Sequence, residues 1–350
     1  MKKNIFILGS YHGNNLGDLE ILDTIIGRLY KDYSITILTK SKFKVKYKLA
    51  SQYFENNNIN FVHPYNIFRF LWKLIRSDFV LIGGGGLFFS NNVLDTLRIA
   101  GKSQLLYWIK TTILAKLLGK KVFWFGVGMG PLDGFGKFLT SIGSKFVTKA
   151  YLRDEYSYKL MSELTNLEKL ELISDVVFSK QEPRKVKKLF EKSNSDLKNL
   201  LLIVFEKDNL QKIKALISQL LTKGIKVTLA TTNPEKDNKF NKKLSKEFST
   251  NFIDTSNMNL TEFRNMFNKF DLIISMRMHA LLISYQQGTP GIGICDELPK
   301  VTEIQKQLYG KDISSNDYKL IETSIPDLKS YEANFKLAET GFEKLLKELK

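Results

Sequence analysis

What most limits the folds open to this chain is an alternation that runs through it twice. Short apolar runs, several of them ending in glycine, are each followed by a segment with apolar residues at helical spacing. The first series is NIFILGS (4–10), SITILTK, DFVLIGGGG, KKVFWFGVGMGP, the start of KAYLRDEYSYKLMSEL, a short strand running into a helix, and LELISDVVF. After its first run, Ile21, Leu22, Ile25, Ile26 and Leu29 recur at helical spacing. The second series is LLLIVFEK, IKVTLATTNP, NFIDTS, DLIIS and GIGICD. Its helical segments carry their own punctuation. Gly224 stands as a C-cap, and Asn259 with Glu262 three residues later forms a capping box. A charged, proline-containing stretch, Ser179–Asn199, separates the two series. Apolar runs without polar alternation are strands covered on both faces, which in a strand–helix alternation means parallel sheets. The expectation is therefore α/β: two Rossmann-like domains facing a cleft, over 1–185 and 198–325. A helix at 326–350 is expected to pack across them. Ligands in such sheets bind outside the carboxyl ends of the strands.

A length of 350 residues suits two domains of ordinary size. The net charge of +17 asks for an explanation. The lysines are dispersed and no nucleic-acid reader motif occurs, so nucleic acid is not an expected partner. The charge reflects either a lysine-rich composition or an attraction to anionic substrates and an anionic membrane surface. Leu105–Lys121 (LLYWIKTTILAKLLGKK) reads either as a core helix or as a segment lying in a lipid interface. No apolar run approaches the ~18 residues of a membrane span. The apolar core at Ile5–Leu8 is too short for a signal peptide and reads as a strand. A cytoplasmic location follows as an expectation, with the inner face of the membrane as the surface in reach. The single cysteine, Cys295, excludes an intrachain disulfide and a cysteine-rich zinc site. His12, His63 and His279 lack ligand spacing, so no metal and no resident cofactor are expected.

The candidate site residues lie where strands give way to helices. Gly9–Asp18 (GSYHGNNLGD) is the first such junction, and Asn15 and Asp18 are its candidate ligand contacts. Its spacing is not that of a dinucleotide fingerprint, and the second strand lacks a ribose-binding acid, so NAD is not expected. Gly83–Gly86 follows a buried run. Four glycines lose much entropy on folding, which points to an active-site loop with a ligand close to the backbone of Gly84, Gly85 and Gly86. Arg153 stands at a strand end beside Asp154, as a clamp for a carboxylate or phosphate or as half of an ion pair. Arg277 and His279 fall at the end of a buried strand. The arginine requires an anionic partner, from a ligand or from the protein, and the imidazole can carry a proton near neutral pH. GTPGIGICDELPKV (288–301) then brings Asp296 and Lys300 to the next strand end. A serine-hydrolase elbow is absent.

Taken in order, GNNLGD (13–18), GGGGLF (83–88), LRDEYS (152–157), SDVVF (174–178), SMRMHALLIS (275–284) and GTPGIGICDELPKV resemble the polysaccharide pyruvyl transferases. The Arg-x-His element followed by Gly-x-Pro is the most specific part. The resemblance implies a GT-B-like fold. It also implies transfer of a pyruvyl group from phosphoenolpyruvate, a co-substrate, to two hydroxyls of a sugar, forming a cyclic ketal and releasing phosphate. The acceptor it implies is a bacterial surface polysaccharide or its lipid-linked precursor. His279 would be the acid/base and Arg277 its catalytic companion. Arg153, Asn15, Asp18, Gly84, Gly85, Gly86 and Lys300 would contact substrate. Met278 replaces a commoner leucine, and Glu297 and Leu298 stretch the final motif, which puts the role of Lys300 in question. Two rivals are a nucleotide-sugar glycosyltransferase on the same fold and a non-catalytic subunit of polysaccharide assembly.

Overall fold

The structure is a computed structural model, and it describes residues 2–55, 58–97, 103–191, 197–206, 210–294, 299–310 and 328–350. The chain divides into two compact units, one of residues 1–13, 18–180 and 334–350, the other of residues 14–17 and 181–333.

The first unit is built on β1 (Asn4–Leu8), β2 (Ser34–Leu38), β3 (Ile59–Val62), β4 (Phe79–Phe88), β5 (Lys121–Met129), β6 (Lys149–Leu152) and β7 (Leu170–Leu172). All pair in parallel, in the order β3-β2-β1-β4-β5-β6-β7. Ile5–Leu8 and Phe79–Ile82 are buried, as strands covered on both faces must be. On one face Phe88 meets Trp124 at 4.4 Å between ring centroids. The helix Leu105–Leu117 covers this face with Leu105, Trp108, Ile109 and Ala115 buried, and Trp124 Nε1 donates to Thr112 Oγ1 at 3.0 Å. Of the two readings of Leu105–Lys121, the structure has the core helix. The terminal helix Leu328–Leu349 belongs to this unit from Asn334 onward, where Phe342 packs on Phe125 and Arg28 pairs with Glu339.

The second unit holds β8 (Asn199–Ile203), β9 (Lys226–Ala230), β10 (Asn251–Phe252), β11 (Leu272–Ser275) and β12 (Gly291–Gly293), again parallel, in the order β10-β9-β8-β11-β12. The capping box is present: Glu262 N donates to Asn259 Oδ1 and Asn259 N to Glu262 Oε2, both at 2.9 Å. Gly224, with φ of 77°, follows the helix Leu210–Thr222. Both sheets are thus the parallel α/β sheets expected.

Three local features differ from expectation. The strand β3 was not legible, because INFV is short and follows a polar asparagine run at a sheet edge. Gly83–Gly86 is not a loop. It lies within β4 and stays registered to β5, Gly83 opposite Phe125 and Gly86 opposite Gly128, with φ of 75° and 93° at Gly84 and Gly85. A Cβ at Gly83 would collide with the Phe125 backbone, so close strand contact is one reason for glycine there. The run LELISDVVF is a strand only to Leu172. Asp175 Oδ1 then accepts from Val177 N at 3.1 Å and turns the chain into the 3-10 turn Val176–Lys180.

Candidate functional site

Where the strand order of an open parallel sheet reverses, the connections leave to opposite faces and a crevice opens beyond the strand ends. The first sheet reverses between β1 and β4, the second between β8 and β11. Asn15, Asp18, Gly84, Gly85, Arg277 and His279, among the residues singled out from the sequence, fall at these two points.

In the second unit, β11 ends at Ser275, whose buried hydroxyl accepts from Arg277 N at 2.8 Å. The chain turns there, and Arg277 takes the N-cap position of the helix Met278–Gln286, with His279 as its second residue. The Arg277 guanidinium lies over the Phe205 ring, 4.3 Å from its centroid, just past β8. It pairs with the buried Asp237 in the first turn of the helix Pro234–Glu247, which follows β9. Burial holds the Asp237 carboxyl above the ordinary carboxylate range, against the pull of Arg277 and Lys236. Among the described residues, Arg277 Nε has no hydrogen-bond partner, and neither do the buried Thr231 Oγ1 and Asn233 Oδ1 at the β9 exit. A buried polar atom left so costs free energy unless a ligand or water meets it.

The strip 14–17 belongs to the same unit. Leu16 N donates to Thr232 O at 2.8 Å, and Asn15 Oδ1 accepts from Gly17 N at 3.1 Å. Gly17 lies against the imidazole: a Cβ there would stand 2.7 Å from His279 Nδ1 and 2.9 Å from His279 Cβ. Gly17→Ala therefore displaces the ring. With His279 in the acid/base role that the resemblance implies, the expected result is a loss of turnover of about tenfold or more, since small misplacements of a reacting group are costly, with little change in the unfolding midpoint. Steady-state kinetics beside a denaturant titration checks it.

In the first unit, Tyr11 is buried just past β1 and its hydroxyl donates to Gly83 O. Burial, then Asp18 and Asp175, push its phenol well above the usual value, so it remains a neutral donor. Asp18 reaches the same crevice, with Oδ1 3.5 Å from where a Gly85 Cβ would be. Gly86 is exposed, and a Cβ on it would meet open space. Beside the crevice His12 Nδ1 accepts from Lys40 N at 3.4 Å. Burial first, then Lys40 and His63, lower its pKa from 6.5 to about 4. The unfolded chain thus takes up this proton before the folded one, and stability falls as pH drops through the window from 6.5 towards 4. Urea midpoints across that range should decline, and His12→Gln should flatten the decline.

Arg153 has the protein partners that were one of its two readings. Its guanidinium is buried between Asp154 Oδ2 at 3.2 Å and Asp175 Oδ2 at 3.4 Å. Asp154 also caps the helix Glu155–Ser162 through Ser157 N at 2.7 Å. With two carboxylates already in place, Arg153 holds the strand ends and requires no ligand to balance its charge. Lys300 is exposed in the first turn of the helix Pro299–Tyr309. Asp296 lies outside the described residues.

Among the described residues, no group of three or more His, Cys, Asp or Glu side chains could hold a metal ion, and no helix is long and apolar enough to cross a membrane.

The model of the polysaccharide pyruvyl transferase family matches residues 12–294, a span that contains both crevices. The chain belongs to this family. No individually curated protein matches it. Among solved structures it is similar to the UDP-GlcNAc 2-epimerase of Methanocaldococcus jannaschii, over 99% of each chain at 14% identity and a TM-score of 0.60. It is also similar to the UDP-N-acetylglucosamine 2-epimerase of Rickettsia bellii, over 99% of this chain and 95% of that one, at 14% identity and a TM-score of 0.61. A glycosyltransferase from Rickettsia africae covers 100% and 98% at 12% identity and a TM-score of 0.57. At such identities the likeness is one of fold, the GT-B fold of glycosyltransferases and epimerases. Fold and family together describe a polysaccharide-modifying transferase.

The second-unit crevice brings together Asn15, Arg277 and His279, and the first-unit crevice Asp18, Gly84 and Gly85. Sequence reasoning missed Gly17, Phe205, Thr231, Asn233 and Asp237. The signal was present for the last three, in TTNPEKD, where small polar residues follow a buried strand and an acid stands in the next helical turn.

Proposed function

We propose that the protein transfers a pyruvyl group from phosphoenolpyruvate to two hydroxyls of a glycan unit, releasing inorganic phosphate. The observation that carries this reading is the second-unit crevice, where Arg277 Nε, Thr231 Oγ1 and Asn233 Oδ1 lack protein partners beside His279. Phosphoenolpyruvate has two anionic groups. The guanidinium fork, already anchored by Asp237 and Phe205, keeps further N–H donors for one of them. The Thr231 hydroxyl and the Asn233 amide, which can present either end, supply neutral hydrogen bonds. The amino ends of the helices Met278–Gln286 and Pro234–Glu247 favour negative charge there.

In the proposed reaction His279 delivers a proton to the methylene carbon of phosphoenolpyruvate, leaving positive character on the carbon that bears the phosphate oxygen. A sugar hydroxyl attacks that carbon and its proton returns to the imidazole. The carbon–oxygen bond to phosphate then breaks, and the second hydroxyl attacks. Its proton leaves with phosphate, and the product is a cyclic ketal. Asp18, Gly84, Gly85 and Gly86 are proposed glycan contacts, and Asn15 fixes the strip that packs on His279. Arg153 takes part indirectly, by holding Asp175. Lys300 is a proposed contact at the margin. The acceptor is proposed to be a bacterial surface polysaccharide unit or its lipid-linked precursor, met in the cytoplasm.

Calorimetry tests the donor. Phosphoenolpyruvate should bind, and Arg277→Ala should weaken binding by about tenfold or more. Binding of a nucleoside diphosphate with none of phosphoenolpyruvate would replace this reading by nucleotide-sugar transfer.

A further inference from the structure

The first unit carries a surface that neither its core nor its crevice uses. The helix Ile67–Arg76 has two apolar stripes. Phe70 and Leu74 turn to the sheet, Phe70 packing on Phe6 at 5.4 Å. Phe68, Trp72 and Ile75, spaced i, i+4, i+7, face outward and are 90%, 47% and 54% exposed. A helix that only covers a sheet needs one stripe. Arg76 and Lys73 flank the Trp72 ring at 4.6 and 5.0 Å.

The helix Lys42–Lys48 repeats the pattern. Phe43 and Tyr47, four residues apart, are 76% and 61% exposed among Lys42, Lys44 and Lys46. The two helices follow β2 and β3 and, because the strand order turns back after β3, lie on opposite faces of the sheet. Lys40 Nζ lies 5.8 Å from the ring of Tyr65, which precedes the second helix. Neither helix contains an acidic residue. Single exposed apolar side chains are ordinary. Three large ones on one helix, set among Arg69, Lys73 and Arg76, mark a contact surface.

We propose that this face docks the protein on an anionic membrane. Phe68, Trp72 and Ile75 enter the bilayer interface while Arg69, Lys73 and Arg76 meet anionic headgroups. The residue types select this occupant. Outward aliphatic Ile75 offers nothing to a nucleic acid base, whereas hydrocarbon rewards it. A second copy docked about a two-fold axis would set one cationic cluster against the other. The inference stands apart from the proposed donor chemistry.

The test is flotation of the full chain with vesicles of phosphatidylcholine alone or mixed with phosphatidylglycerol. Binding to the mixed vesicles, weakened by salt, is expected. Trp108 and Trp124 are buried, so the accompanying blue shift of tryptophan emission should come from Trp72 and vanish in Trp72→Ser. Phe68→Ser with Ile75→Ser should lower partitioning about tenfold, and Arg69→Ala with Arg76→Ala about thirtyfold. These positions are exposed, so both variants should unfold at the wild-type denaturant midpoint. Leu117→Ser, also exposed but on the core helix, should bind like the wild type. Binding that ignores phosphatidylglycerol, binding unaffected by the Phe68/Ile75 change, or no binding at all would overturn the proposal. So would a dimer that dissociates in Phe68→Ser.

Discussion

His279→Ala should retain phosphoenolpyruvate binding and lose turnover by about a hundred- to ten-thousandfold, the range set by removal of a positioned acid/base. The affinity should survive because the anion contacts proposed for Arg277, Thr231 and Asn233 remain. The fold should survive too. His279 is the second residue of the helix Met278–Gln286 and is not fully buried, and alanine favours a helix more than histidine does. The loss should therefore appear in kcat and not in the denaturant midpoint. Calorimetry and steady-state kinetics on one preparation separate the two. A kcat within a few-fold of wild type would remove His279 from the chemical step, and a lost affinity with intact kcat would make it a binding residue.

The second large effect distinguishes two glycines that look alike in the sequence. Gly84→Ala should destabilise the protein by about 2–5 kcal/mol, summing the strain of a left-handed φ and an overpacked contact. At φ of 75° its new methyl would run into Ile21 and the Tyr11 hydroxyl. Gly86→Ala, whose methyl would meet open space, should shift stability by no more than about 0.5 kcal/mol. Any fall in glycan turnover in that variant then reports a ligand close to the backbone. Equal stability of the two variants would contradict the packing of β1, β4 and the helix Leu16–Leu29.

The architecture was legible because parallel strands leave a strong trace. NIFIL, SITIL and DLIIS are apolar throughout, and the helices between them announce their ends through Asn259, Glu262 and Gly224. The edge strand β3 left no such trace. The glycine run was misread for a physical reason. Composition reports that backbones approach closely, but not whether the neighbour is a ligand or, as at Gly83, the next strand. Arg277 and His279 could be found because a cation and a titratable ring at the end of a buried strand are expensive without a purpose. Their surroundings could not. Gly17 and Asp237 lie 262 and 40 positions from His279 and Arg277, and only the fold brings them close. Arg153 carried the same sequence signal as Arg277, yet Asp175 and Asp154 satisfy it, a pairing that a single sequence does not display.

The central claim is that phosphoenolpyruvate is the donor and a glycan diol the acceptor. It is tested most directly by following phosphoenolpyruvate labelled with carbon-13 at the phosphate-bearing carbon, across a panel of glycoside and lipid-linked acceptors. The account predicts one phosphate released for each ketal carbon formed, dependent on acceptor and lost in His279→Ala. Glycan modified at the expense of a nucleotide sugar, with the labelled phosphoenolpyruvate untouched, would contradict it.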